Sequence, residues 1–106
     1  MKTDHPVTQI QKQIVKEIID RLHKENNQNN NALYKNIKVL GSDYSNEIFI
    51  AFDKFSPDWN KGEPGFKKKY LGISINGKID YEVLKRKFNN LSDRVHFFNS
   101  LYEIKI

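Results

Sequence analysis

The apolar residues of this chain change their period after the first helix-spaced stretch. From Val7 they recur at steps of three and four, through Ile10, Ile14, Ile18 and Leu22, with Val15 and Ile19 widening the stripe. Further on they recur at every second position, in Ile37 and Val39, in Ile48, Ile50 and Phe52, and in Leu71, Ile73 and Ile75. The first spacing puts one apolar stripe along a helix, and the second puts apolar side chains on one face of a strand. One helix followed by a run of strands excludes an all-helical bundle and a βαβ repeat. It directs the chain to an antiparallel sheet with helices packed on it.

The helix is expected over residues 6–24. Pro6 suits a first turn, and Asp4 or His5 can cap it. Glu17 with Arg21 and Asp20 with Lys24 are i,i+4 pairs in the favourable order. The Asn-rich stretch at 25–31 then reads as a connection, because Asn side chains compete with the helix for backbone hydrogen bonds. A first strand is expected over 35–40. Gly41-Ser42-Asp43 turns the chain, and the Ile48-Ile50-Phe52 strand returns antiparallel to it. Phe49 and Ala51 make the reverse face of this strand apolar as well, so that face is expected to be covered.

A third strand over 67–75 ends at Asn76-Gly77, two residues that tolerate positive φ. Asp80 is placed to cap a second helix over 81–90, with Tyr81, Leu84, Phe88 and Leu91 inward. The tail fits two periods. A short helix or turn near 95–98 followed by a strand over 101–106 satisfies both. The expected architecture is a single α+β domain over residues 1–106 in the order α-β-β-β-α-β, with an antiparallel sheet and its helices packed on one face.

Composition narrows the chemistry. There is no Cys, which excludes disulfides and thiolate chemistry and makes a cytoplasmic location the default expectation. No apolar run approaches the ~20 residues that cross a bilayer, and the first residues lack the apolar centre of a signal peptide. The net charge is +5. Residues 1–53 carry seven basic and seven acidic side chains, so the whole excess lies in residues 54–106. Between Lys61 and Lys87 there are eight basic and three acidic residues. That is either a solvated lysine face or a surface for an anionic partner.

Catalytic patterns are sparse. His5, His23 and His96 stand apart from one another, and zinc needs three or four converging ligands. The glycines form no phosphate-binding loop. Glu103 and Lys105 share a strand face, ten and more positions after Asp93, which is a weak nuclease-like signal for a carboxylate-held Mg²⁺. No enzyme, metal or cofactor is assigned on these grounds.

The connection at 53–66 carries the strongest functional signal. It holds the only Trp, two of the three Pro, and Phe55, Trp59 and Phe66 beside Lys54 and Lys61. Long connections between strands are uncommon unless they are functional or mobile. Its aromatics either fold back to plug the core or form an exposed anchor, the residue type that dominates interface energetics. With the latter reading, Phe55, Trp59, Lys61, Phe66, Lys67, Lys68, Lys69 and Tyr70 form a binding surface. The leading expectation is a small non-catalytic protein-binding module of inhibitor or immunity type. The alternatives are an RNA- or single-stranded-DNA-binding protein that uses the 61–87 segment, since aromatics among lysines suit stacking on bases, and a small nuclease.

Overall fold

The computed structural model describes residues 7–28, 33–42, 45–56, 65–81 and 90–105. Helix α1 (Gln9–Gln28) is followed by strands β1 (Tyr34–Ser42), β2 (Ser45–Ser56), β3 (Gly65–Ile73) and β4 (Ile79–Asp80), helix α2 (Leu91–Asn99) and strand β5 (Leu101–Glu103). The strands form one sheet in the order β4-β3-β2-β1-β5, with every pairing antiparallel. This is the α+β order and antiparallel sheet expected, with α1 packed on the sheet and a short β4 added at its edge; the two described helices are not both on one face, because Phe97 of α2 meets Phe49 on the face away from α1. The second helix expected over 81–90 falls on residues 82–89, which lie outside the described residues.

Asp4 and His5, the caps expected for α1, also lie outside the described residues. The residue that caps Gln9–Gln28 is Thr8. The Thr8 Oγ1 accepts from the Gln11 N–H at 3.1 Å, and the Gln11 Oε1 accepts from the Thr8 N–H at 3.0 Å. This reciprocal pair is a capping box, T-x-x-Q. The Gln11 side chain is fully buried, and its Nε2 donates to the Asn46 carbonyl at 3.0 Å and the Ile73 carbonyl at 2.9 Å. One amide therefore caps the helix and ties it to β2 and β3.

Gln11 sits in line with Val15, Ile18 and Leu22, so these residues point to the sheet. Val15 and Leu22 pack with Ile48, Ile50, Phe52 and Ile73 in the buried cluster. Ile14 and Ile18 flank it, and Ile10 is 52% exposed rather than inward. The far end of α1 runs past Lys24 to Gln28. Asn26 there accepts from the Tyr34 N–H at 2.9 Å and donates to the Tyr34 carbonyl at 3.1 Å. The side-chain amide thus takes the place of a neighbouring strand on the outer edge of β1.

Two further expectations are corrected. Ile75 is not a core-facing strand residue. The Ser74 N–H donates to the Lys78 carbonyl, and the Gly77 N–H donates to the Ser74 carbonyl, both at 2.9 Å. The chain therefore turns there, leaving Ile75 42% exposed. Asp80 pairs with Gly72 in β4, and the helix it is expected to cap falls outside the described residues; Tyr81 and Leu91 are exposed rather than inward. Asn90 caps α2, accepting from the Asp93 N–H at 2.8 Å.

The tail is helix then strand, as expected. On the reverse face of the sheet the Phe97 ring meets the fully buried Phe49 edge to face, with centroids 5.4 Å apart. Among the described residues no helix is long and apolar enough to cross a membrane.

Candidate binding surface

Strands β2 and β3 pair from Ile48 opposite Ile73 out to Ser56 opposite Gly65. The connection is therefore much shorter than 53–66. Phe55 and Phe66 are strand residues directly opposite each other, and the ladder continues past them. Trp59 and Lys61 lie outside the described residues.

Strand alternation divides the hairpin into two faces. Toward α1, apolar pairs give way along the hairpin to Phe52 opposite Lys69 and Lys54 opposite Lys67. Away from α1, the rungs are Phe49 opposite Gly72, Ala51 opposite Tyr70, Asp53 opposite Lys68 and Phe55 opposite Phe66. The Lys67-Lys68-Lys69 run is thus split between faces. It does not act as one patch.

The reverse face is knit together along its length. Phe97 and Phe98 stack edge to face at 5.2 Å, and Tyr70 lies 5.5 Å from Phe98, half-buried rather than free. Farther out, Lys68 pairs with the Asp53 carboxylate at 3.3 Å. The other Asp53 oxygen accepts from the Asn36 amide at 2.8 Å. Asn36 reaches it because a bulge lies between Lys35 and Lys38 in β1, where Asn36 takes φ +54°. Asn adopts that left-handed conformation more readily than most residues. The Asn36 amide first, and the Lys68 ammonium after it, hold the Asp53 carboxyl below its ordinary value.

At the outer end the Phe55 and Phe66 rings meet at 5.5 Å, and Lys35 Nζ sits 4.0 Å over the Phe66 ring. A ring pair of this kind contributes about 0.5–1.5 kcal/mol beyond burial. An exposed cation–π contact adds about 0.5–1 kcal/mol. Both fix ring positions. Even so, Phe55 remains 38% and Phe66 40% exposed. The hairpin end therefore presents two immobilised aromatic faces beside Lys35, Lys68 and Asp53.

Of the residues expected from sequence, Phe55, Phe66 and Lys68 come together on this surface. Lys67 and Lys69 lie on the other face, and Tyr70 is drawn under Phe98. Lys35, Asn36 and Asp53 carry no local signal, because only the β1–β2 register brings them in. Glu103 is exposed in β5, and among the described residues no three His, Cys, Asp or Glu side chains gather as metal ligands would. No family model, characterised protein or solved structure matches the chain.

Proposed function

We propose that the chain is a non-catalytic protein-binding module of the inhibitor or immunity type, and that the reverse face at the end of the β2–β3 hairpin is its contact surface. The observation that supports this reading is the Phe55–Phe66 pair, exposed by about two fifths yet held in place by its cross-strand partner and by Lys35. Aromatic anchors whose positions are fixed before binding lose little conformational entropy on association, and such anchors dominate interface energetics. Lys35 adds positive charge beside them, which favours an acidic partner surface and fast encounter.

The nucleic-acid reading, which draws on the 61–87 segment, has less support, since Lys67, Lys68 and Lys69 are split between two faces and Lys68 is paired with Asp53. The test is capture of a partner from the source cells by the full chain, with nuclease treatment as control. The double variant Phe55→Ser/Phe66→Ser should fold and lose capture at least tenfold. Undiminished capture by that variant, or captured material that disappears with nuclease, would overturn the proposal.

A further inference from the structure

On the other face of the hairpin a cleft of about 340 Å³ opens between the second half of α1 and strands β1–β3. Leu22, Phe52 and Leu71 give it an apolar floor. Tyr34 forms one wall, with its ring edge to face against Phe52 at 5.4 Å. Three cations line the same space, Arg21 from α1, Lys54 from β2 and Lys69 from β3. Among the described residues no carboxylate lines it. The Tyr34 hydroxyl donates to Glu25.

A second observation points the same way. Lys68 on the reverse face has Asp53 directly opposite as its counterion. Toward α1, Lys54 stands directly opposite Lys67 instead, with Lys69 two residues on. Like charges facing each other across strands destabilise a sheet. Among the described residues none of Arg21, Lys54, Lys67 or Lys69 has an ion-pair partner. The fold thus places a positive rim, without an ion-pair partner among the described residues, around an apolar, ring-walled floor. Its volume is at the small end of the range for ligand sites.

We infer that this cleft binds a small organic phosphate with a flat ring body, of mononucleotide size. The ring lies on Phe52 and Leu71 against Tyr34, and the phosphate takes Lys54, Lys69 and the Arg21 guanidinium, whose planar fork suits phosphate oxygens. This site is separate from the Phe55–Phe66 surface, so each stands or falls alone.

The test is a titration of the full chain at low salt with adenosine monophosphate, followed by amide chemical shifts. Adenosine and inorganic phosphate serve as half-ligand controls. The expected result is saturable shifts at Ile18, Leu22, Phe52, Lys54 and Leu71, with each half-ligand binding at least tenfold more weakly. Lys54→Gln/Lys69→Gln should weaken binding at least tenfold, while Phe55→Ser/Phe66→Ser leaves it unchanged. Absence of shifts at millimolar nucleotide, shifts centred elsewhere, or equal affinity for inorganic phosphate would overturn the inference.

Discussion

Gln11 is the residue whose loss tests the packing of α1 most sharply. Gln11→Ala removes the acceptor for the Thr8 N–H and both donors to the Asn46 and Ile73 carbonyls. The Thr8 Oγ1 cap survives, so the lost reciprocal bond to the Thr8 N–H costs about 0.5–1.5 kcal/mol, and a buried carbonyl left without a donor costs about 1–3 kcal/mol. The Ile73 bond is buried and the Asn46 bond partly so, which gives a total of roughly 2–5 kcal/mol. That is a large share of the ~5–15 kcal/mol by which domains are stable. Gln11→Glu sharpens the argument, because it keeps the capping acceptor but turns a carboxylate toward two carbonyl oxygens. Burial and those oxygens raise the pKa of the introduced carboxyl above its unfolded value. Its variant should therefore be most stable at acid pH, where the protonated form can donate one hydrogen bond, and should lose stability as pH rises through the folded-state pKa. Urea unfolding followed by circular dichroism measures both variants at several pH values. A cost below ~0.5 kcal/mol for Gln11→Ala, or equal stability of Gln11→Glu and wild type at pH 7, would refute the role assigned to this amide.

Gly77 has φ +89°, and a Cβ there would lie 2.7 Å from Ile10 Cγ2 and 2.9 Å from Ile14 Cδ1; Gly77→Ala should lower stability by about 1–3 kcal/mol in the same urea assay. The Asp53 carboxyl is depressed by Asn36 and then by Lys68, so its contribution is present above the ordinary carboxylate pKa of ~3.9 and is lost as pH falls through the lower folded value. Urea midpoints of wild type and Asp53→Asn should accordingly differ at neutral pH and converge in acid, and parallel profiles would contradict this.

The change of apolar period made the helix, the meander and the antiparallel sheet legible. The tail was legible too, since α2 and β5 each satisfy one of its two periods. The element ends were harder to read. Pro6 drew the expected helix start forward, although Thr8 and Gln11 carry a readable capping spacing. Alternation carried Ile75 into β3, whereas the hydrogen bonds between Ser74 and Lys78 turn the chain before it. Phe55 and Phe66 read as loop residues because Pro and Gly lie between them. Their cross-strand pairing, which extends the ladder, depends on register, and register is not local information. The same limit hides Lys35 beneath the Phe66 ring, and Arg21, Lys54 and Lys69 around one cleft.

The pairing of β5 with β1 has a kinetic consequence. Ser42 and Ser100, whose hydroxyls meet at 3.0 Å, are 58 positions apart. The β1–β2 and β2–β3 hairpins close locally, but β5 closes across most of the domain on three residue pairs and the Ile104 N–H to the Val39 carbonyl. Long closures are slow to form, and weakly held elements open first. Local opening is therefore expected to begin at β5, before the hairpins melt. That opening bares the β1 edge at Leu40–Ser42, and where it extends to α2 it also withdraws Phe97 from Phe49. A free strand edge beside an uncovered ring is a template for pairing with a second chain. Any self-association of this protein is accordingly expected to follow how often this latch lifts more closely than the global stability of the fold.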